Sequence, residues 1–202
     1  MSFRKEKKFR LSFYDFNKLQ SSLIEKGMET MYEPRKINSL YFDTLSLQSF
    51  SDSEEGTLPR KKIRVRWYND YEKLTIEKKI SSVEGRYKTT KEFKKLLSPE
   101  NLLFERFFDD HYGIIYPVLI VSYIRYYFQF NSMRVTFDKN ITYQYLQSIS
   151  KRIYKDPERV MEIKIPINCT DDYIERYIPY QTSRFSKYSR GILFSTGKLN
   201  EF

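Results

Sequence analysis

The sequence predicts an α+β fold, a closed antiparallel β-barrel or tunnel of about eight strands with helices packed outside. Three observations support this fold class. Several segments alternate charged with apolar or aromatic residues, which is typical of strands whose two faces meet different surroundings. Tyr and Phe, which favour strands, number 18 and 16 among the 202 residues. Apolar stripes at helical spacing fill several intervening segments, and such helices would cover the outer face of the sheet.

The clearest element is a strand pair at residues 60–79, which turns at residues 69–70. In its first strand, cationic side chains share one face. They are Arg60, Lys62, Arg64 and Arg66. In the second strand, one face carries Lys73, Thr75, Glu77 and Lys79, and the other carries Leu74, Ile76 and Ile80. The pattern predicts a hairpin with one charged and one apolar face.

The other elements follow from similar patterns in chain order. Strands are predicted at residues 3–11, 37–43, 86–90, 116–130, 134–138, 140–146 and 160–165. Helices are predicted at residues 13–26, 44–51, 91–97 and 99–109, and a final helix after Asp171 as its N-cap. Ser12 and Gly27 bound the first helix, residues 53–56 are predicted to be a loop, and 186–191 belong to the tail. No linker divides the chain, so residues 1–202 are predicted to form a single domain.

The charge balance predicts an anionic partner. The net charge is +10 and the pI is about 9.4, which fits nucleic acid, a membrane surface or a smaller polyanion. Cys169 is the single cysteine, which excludes an internal disulfide and a thiolate metal cluster and is typical of a reducing compartment. The longest apolar run, residues 114–124, is too short to cross a bilayer. We therefore expect a cytoplasmic protein.

The charged faces of the strands carry the candidate functional side chains. These include Arg4, Glu6, Lys8, Lys62, Arg64, Arg66, Glu77, Lys79, Arg125, Arg134, Asp138, Glu162 and Lys164. An open sheet could expose such a face to water, and the pattern alone leaves this interpretation open. In a closed barrel the same face would line a lumen, where like charges repel in a low dielectric, so the lumen would need a polyanion. A phosphate chain fits, because Arg binds phosphate oxygens as a fork and Lys binds them as a point charge.

Acidic residues among these cations predict a metal site. They are Glu6, Glu77, Asp138 and Glu162. Carboxylate oxygens are preferred ligands of Mg²⁺ and Mn²⁺. Such ions bridge phosphates and neutralise the charge that develops during phosphoryl transfer.

Eight short motifs, in order along nearly the whole chain, resemble those of one family. They are RKEKKF at 4–9, SLYFD at 39–43, KIRVRWY at 62–68, TIEKK at 75–79, YIRY at 123–126, RVTFD at 134–138, MEIK at 161–164 and SKYSRG at 186–191. Each is weak alone, and their common order makes them specific. They resemble the VTC (vacuolar transporter chaperone) polyphosphate polymerase domain, within the triphosphate tunnel metalloenzyme superfamily.

The resemblance implies a β-tunnel that uses ATP to extend inorganic polyphosphate with Mn²⁺ or Mg²⁺ as cofactor. By matching position, the catalytic phosphate-holding residues would be Lys8, Arg64, Arg66, Lys79, Arg125, Arg134, Lys164 and Lys187. Secondary phosphate contacts would come from Arg4, Lys62, Lys88, Ser186 and Tyr188. The foremost metal ligand would be Glu162, with Glu6, Glu77 and Asp138 as further candidates.

One departure from the superfamily bears on the reaction. Hydrolytic members typically begin E-x-E-x-K, and Arg4 stands at the first of these positions here. This exchange of an acid for a cation favours the polymerase. Two alternatives stay open, a tripolyphosphate or nucleoside-triphosphate hydrolase and a non-catalytic polyphosphate-binding domain. We expect no specific nucleic acid, leave open a separate membrane protein as a partner at the inner face of a membrane, and make no prediction of oligomeric state.

Overall fold

Strands dominate the part of the chain that the structure, a computed structural model, describes, which comprises residues 4–69, 73–93, 99–148 and 152–199. The strands are β1 (Arg4–Leu11), β2 (Glu29–Asp43), β3 (Arg60–Tyr68), β4 (Thr75–Ser82), β5 (Gly85–Glu92), β6 (Phe107–Asp109), β7 (Gly113–Phe130), β8 (Met133–Tyr145), β9 (Ile153–Lys155) and β10 (Arg159–Pro166). The helices are α1 (Phe13–Glu25), α2 (Gln48–Glu55), α3 (Pro99–Leu102), α4 (Asp171–Tyr177) and α5 (Lys187–Ser195).

The strands form one antiparallel sheet that curves into an open half-barrel. Its order is β1-β10-β8-β7-β2-β3-β4-β5, with β6 added beside β7 and β9 beside β8. The prediction of a tunnel-like α+β fold is confirmed, but the prediction of a closed barrel is wrong, because β1 and β5 are not paired with each other in the described residues. Both edge strands carry Lys and Arg along their length, and charged edges resist pairing.

Helices α1 and α4 pack on the apolar face of the sheet, as the sequence predicts. The α1 residues Phe16 and Leu23 and the α4 residue Ile174 lie in one buried cluster with Phe137 and Met161 of the sheet. The rings of Phe16 and Phe137 meet edge to face, with their centroids 4.9 Å apart. This buried cluster covers the apolar face of β1, β10, β8 and β7.

A second cluster covers the apolar face of β2 and β3. There, Phe42 and Val65 are buried together with Leu102 of α3, and Phe107 of β6 packs against them. The rings of Phe42 and Phe107 are 4.6 Å apart. The apolar face of these strands is therefore covered, and their charged face is the opposite one.

Helix α5 packs on the charged side of the sheet, which corrects the prediction that the helices lie outside. A Cβ built on Gly191 would lie 2.5 Å from Leu119 Cδ2 and 2.8 Å from Tyr143 Cδ1. Leu119 lies opposite Tyr41, and Tyr41 lies opposite Arg64, so these residues share the charged face. The sequence prediction treats residues 186–191 as tail, yet Ser186 caps α5 and the helix occupies one end of the charged face.

Helix α2 begins four residues later than predicted and continues into the predicted loop at 53–56. The buried carboxylate of Asp43 accepts hydrogen bonds from the backbone N–H groups of Ser49 and Phe50, at 2.8 and 3.0 Å. These bonds satisfy donors that the first turn of a helix leaves free. Gly56, with φ +80°, ends the helix.

The helix predicted at 99–109 is wrong beyond Leu102, because the chain turns back as β6 and pairs with β7. Gly113 supplies the positive φ of +70° at the start of β7. The buried Asp109 carboxylate stabilises this turn by accepting a 3.0 Å hydrogen bond from the His111 backbone N–H. The helix predicted at 91–97 is wrong at residues 91–92, which belong to β5, and residues 94–98 lie outside the described part.

Other boundaries differ by smaller amounts. The strand predicted at 140–146 is the second half of β8, whose register with β7 shifts where Asn140 adopts a φ of +53°. The last predicted helix is capped by Thr170, whose side chain accepts from the Tyr173 N–H, and Asp171 is its first residue. Strand β2 begins at Glu29, eight residues earlier than predicted. The predicted turn at 69–70 lies partly outside the described residues. Within the described residues, no helix combines the length and the apolar character that membrane spanning requires.

Candidate functional site

Strand register brings the candidate side chains onto one concave face. Directly opposed residues in antiparallel strands share a face. The opposed pairs are Glu6 with Lys164, Lys8 with Glu162, Arg134 with Lys164, Arg125 with Asp138, Tyr41 with Arg64, Arg64 with Glu77, Lys62 with Lys79, and Lys79 with Lys88. We call the half formed by β1, β10, β8 and β7 the β1 wall, and the half formed by β2, β3, β4 and β5 the β5 wall. Arg4 begins β1, and the role predicted for its side chain lies outside the described part.

The β5 wall is organised around a buried ion pair between Arg64 and Glu77. Arg64 Nε and Nη2 donate to Glu77 Oε2 at 2.7 and 2.5 Å, and Arg64 Nη1 donates to the Tyr41 hydroxyl at 2.7 Å. Lys88 Nζ donates to the other carboxylate oxygen at 2.6 Å, and Arg66 Nη1 lies 3.7 Å from Oε2. Burial would raise the pKa of Glu77, but Arg64 and Arg66 outweigh it and lower the pKa to about 2. Glu77 is thus a fully ionised partner of cations.

The β1 wall repeats the arrangement with Arg125 and Asp138. Arg125 Nε and Nη2 donate to the two carboxylate oxygens of Asp138 at 2.6 and 2.8 Å. Lys187, at the start of α5, donates to Asp138 Oδ2 at 2.5 Å. Burial opposes ionisation of Asp138, but these two cations hold its pKa well below the usual range. The contact of Lys187 with Asp138 therefore also attaches α5 to the sheet.

Two lysines of the β5 wall lack such a carboxylate partner. Lys62 Nζ donates to Ser186 Oγ at 2.9 Å, and Lys79 has no salt bridge in the described part of the chain. Burial lowers the pKa of Lys62 to about 8. Lys79 lies on the concave face opposite Lys62, where desolvation of its ammonium group and the neighbouring Arg64 lower its pKa to about 8. An anion bound between these lysines would restore their charged state.

The β1 wall offers two carboxylates, Glu6 and Glu162, that accept no hydrogen bond from any described residue. Glu6 lies 3.5 Å from Lys8 Nζ and 4.0 Å from Lys164 Nζ. Glu162 lies 3.8 Å from Lys164 Nζ and 3.9 Å from Arg125 Nη2. No group of three or more acidic, His or Cys side chains suited to a metal occurs among the described residues. Two carboxylates fit the mode in which Mg²⁺ or Mn²⁺ binds through one or two acids and through substrate phosphates.

The remaining predicted residues differ in access to the concave face. Ser186 caps α5 and meets Lys62. Tyr188 is 1% exposed, and its hydroxyl donates to Asp43, so this geometry leaves it no phosphate contact. Arg134 lies toward the other end of the face, with its guanidinium 5.7 Å from the centre of the Tyr127 ring.

Sequence reasoning missed the polar side chains that orient the arginines. Besides Tyr41, the hydroxyl of Ser39 accepts from Arg66 Nε at 3.1 Å, and that of Tyr123 accepts from Arg66 Nη2 at 3.3 Å. Tyr123 also lies under Arg125 and Lys187, with 5.4 and 4.4 Å to its ring centre. A signal was present, since Ser39 and Tyr41 alternate along β2 and Tyr123 alternates with Arg125 along β7.

Comparison with known proteins places this geometry in a fold and a family. A Bacillus halodurans protein, provisionally assigned as an adenylate cyclase, has a TM-score of 0.60 at 15% identity, covering 94% of this chain and 97% of that one. A Hippeastrum protein, provisionally assigned as an adenylyl cyclase and described with a dominant triphosphatase activity, has a TM-score of 0.53 at 14% identity, covering 98% of both chains. A Pyrococcus horikoshii protein has a TM-score of 0.53 at 13% identity, covering 96% and 99%.

At these identities the structures show the fold, which is the triphosphate tunnel fold. No curated protein matches the chain. The sequence profile of the VTC domain matches residues 3–196, which is nearly the whole chain. The chain therefore belongs to the VTC domain family.

Proposed function

We propose that the protein is a metal-dependent phosphotransferase that moves the terminal phosphate of ATP onto a growing polyphosphate chain. The observation that carries this proposal is the concave face itself. It combines arginines already oriented by carboxylates with two lysines, Lys62 and Lys79, that form no salt bridge with a described carboxylate. A ligand that is polyanionic along its length matches such a face better than a ligand with a single charge.

The oriented arginines supply phosphate contacts at little entropic cost. Two nitrogens of Arg64 donate to one oxygen of Glu77, and two nitrogens of Arg125 donate to the two oxygens of Asp138. These contacts fix the directions of the remaining N–H groups of each guanidinium. Lys62, Lys79 and Lys8 add mobile point charges around them. Glu77 and Asp138 act in this proposal as positioning residues for the arginines, and we assign the metal to Glu162 and Glu6.

A divalent ion held by those two carboxylates would neutralise charge on the phosphate oxygens that it contacts. The protein's own groups align the two substrates. A terminal oxygen of the polyphosphate chain attacks the γ-phosphorus of ATP, and a new P–O bond forms. The bond from the γ-phosphorus to the β,γ-bridging oxygen breaks, and its electron pair leaves with ADP. Arg64, Arg66 and Arg125 stabilise the charge on the equatorial oxygens.

Hydrolysis would need a base to activate water. A general base works best with a pKa near the operating pH. On the charged face, however, Glu77, Asp138 and Glu162 all have their pKa lowered by neighbouring cations, which makes them weak bases. Transfer to a phosphate oxygen needs no such base, because that nucleophile is already anionic. These three carboxylates are therefore better suited to orienting cations around a phosphate acceptor than to activating water.

The test is incubation with ATP and Mn²⁺, and separately with Mg²⁺, followed by ³¹P NMR and by gel analysis of long phosphate chains. We expect an internal-phosphate signal with an equivalent amount of ADP. Free phosphate without polymer would identify a hydrolase instead. Tight polyphosphate binding without turnover would identify a binding domain.

A further inference from the structure

The end of the charged face away from α5 carries an aromatic and arginine cluster, of which only Arg134 belongs to the predicted phosphate-holding set. The cluster consists of Tyr32 and Arg35 from β2, Tyr127 from β7 and Arg134 from β8. Tyr32 lies opposite Tyr127, and Arg35 lies opposite Arg125, so the cluster continues the charged face. The Tyr32 and Tyr127 rings meet edge to face at 5.9 Å, and the Arg35 guanidinium lies 5.6 and 5.7 Å from their centres.

Irregularities in the pairing of β2 with β7 direct the side chains of this cluster. Near this cluster the register between β2 and β7 shifts twice, between Thr30 and Tyr32 and between Tyr32 and Arg35. Such irregularities redirect side chains and are common beside functional sites. Tyr32 is 48% exposed at the mouth of the basic face. Neither Arg35 nor Arg134 has a salt bridge with any described carboxylate.

A planar ring with a triphosphate attached matches this arrangement. An exposed tyrosine face stacks on a nucleobase, and arginine adds a cation–π contact. From the level of Tyr32 and Tyr127 to the level of Arg35 and Arg125 is two residues along β7, a distance of about 7 Å at the usual strand rise. A nucleoside triphosphate whose base lies at Tyr32 could thus run its phosphates inward toward Arg125.

We propose that Tyr32, with Arg35, forms a nucleobase-binding subsite at the mouth of the charged face. The subsite sets the direction of the nucleotide, base outward and terminal phosphate inward. It rests on the proposed function only in taking a nucleoside triphosphate as substrate.

The test compares two ligands that differ in the base alone. Calorimetry with EDTA present, which prevents turnover, would measure the affinities of ATP and of inorganic tripolyphosphate for the wild type and for Tyr32→Ala. We expect Tyr32→Ala to weaken ATP binding about tenfold and tripolyphosphate binding less than about twofold. Retained tripolyphosphate binding also shows that the variant is folded. Tyr32→Phe should bind ATP as the wild type does.

The matched control is Tyr14→Ala, which removes an exposed tyrosine of α1, 70% exposed, outside the charged face. It should change neither affinity. Equal weakening of both ligands by Tyr32→Ala, or no weakening of either, would overturn the subsite. Because binding is measured without turnover, a protein that binds ATP through Tyr32 but makes no polymer would refute the proposed reaction and leave the subsite standing. Polymer synthesis together with an unchanged ATP affinity in Tyr32→Ala would refute the subsite and leave the proposed reaction standing.

Discussion

Both walls of the charged face hold a buried arginine–carboxylate pair, but among the described residues the β1 wall also places two further carboxylates, Glu6 and Glu162, around one lysine, Lys164. On the β5 wall, Glu77 is surrounded by Arg64, Arg66 and Lys88, and the neighbouring Lys79 is another cation. Glu77 is thus a poor ligand for a further positive ion. The β5 wall is therefore suited to direct phosphate contacts.

The β1 wall mixes both signs of charge. Glu6 and Glu162 lie beside Lys8 and Lys164 at 3.5 to 4.0 Å, distances at which the carboxylate oxygens remain available. A phosphate chain between the walls would meet bare cations on one side and room for a metal-bridged contact on the other. Carboxylates at similar motif positions therefore have different surroundings, which their cross-strand partners determine.

The largest effect should come from unpairing the arginine of the β1 wall. In Asp138→Asn, Arg125 and Lys187 lose the charge that compensates them in a buried site. We expect the free energy of unfolding to fall by about 3–5 kcal/mol, measured by urea denaturation. Added polyphosphate should then raise the melting temperature more in the variant than in the wild type, because the freed cations bind it. Unchanged stability would show that the pair is dispensable.

Replacing Glu162 should separate metal binding from phosphate binding. Glu162→Gln should lower the apparent affinity for activating Mn²⁺ about 100-fold and leave polyphosphate affinity nearly unchanged, with some loss in the free energy of unfolding because neighbouring cations lose a charged partner. Activity titrations with Mn²⁺ at saturating ATP measure the first quantity. Glu77→Gln is the matched control on the β5 wall and should retain the Mn²⁺ affinity while losing stability. An equal loss of Mn²⁺ affinity in both variants would contradict the distinction between the walls.

Which side chains share a face could be predicted from the sequence, because strand alternation alone decides it. The grouping of Arg64, Arg66 and Glu77 follows from their spacing, and the ordered motifs indicated the family. What could not be predicted is which acid each arginine contacts. Asp138 and Glu162 occupy similar alternating patterns, and only the pairing of β8 with β7 places Asp138 directly opposite Arg125.

The position of α5 and the openness of the barrel were also beyond the sequence. A stripe such as that of Ile192 and Phe194 indicates that a helix has an apolar face, but not which side of the sheet that face covers. Closure depends on whether two strands far apart in the chain, β1 and β5, meet, and local patterns do not report it. The segment at 99–109 misled because Phe107 belongs to a short strand whose pairing with β7 outweighs helix propensity.

A smaller effect should follow from displacing α5. The Gly191 Cα faces Leu119 and the ring of Tyr143, so the methyl group of Gly191→Ala has no space unless the helix moves. We expect the free energy of unfolding to fall by about 1–3 kcal/mol, the range for overpacking. Displacement of α5 would also weaken the contact of Lys187 with Asp138. Thermal unfolding measures the change, and Gly197→Ala is not a suitable control because Gly197 has a φ of +72°; Ser195→Ala, at the end of the same helix, is the better comparison.

The smallest effect concerns the lysines of the β5 wall, and it tests whether their charge is uncompensated. Lys62 and Lys79 have a pKa of about 8 in the folded protein, below the ordinary 10.5, so near pH 8 each is about half protonated. Polyphosphate bound beside them should raise both pKa values, and the protein should take up a fraction of a proton per lysine at pH 8. Calorimetry in two buffers with different ionisation enthalpies measures this uptake.

Without ligand, the same lysines bind fewer protons in the folded than in the unfolded state between about pH 8 and pH 10.5. Their contribution to the free energy of unfolding should therefore rise with pH across that interval and be least below pH 8, where both lysines are charged and destabilise the fold. Lys62→Gln should remove part of the proton uptake and part of this pH dependence together. Lys18→Gln, on the α1 surface, should remove neither. If Lys62→Gln left both unchanged, the lysine would already be compensated, and the β5 wall would lack the unbalanced charge that distinguishes it from the β1 wall.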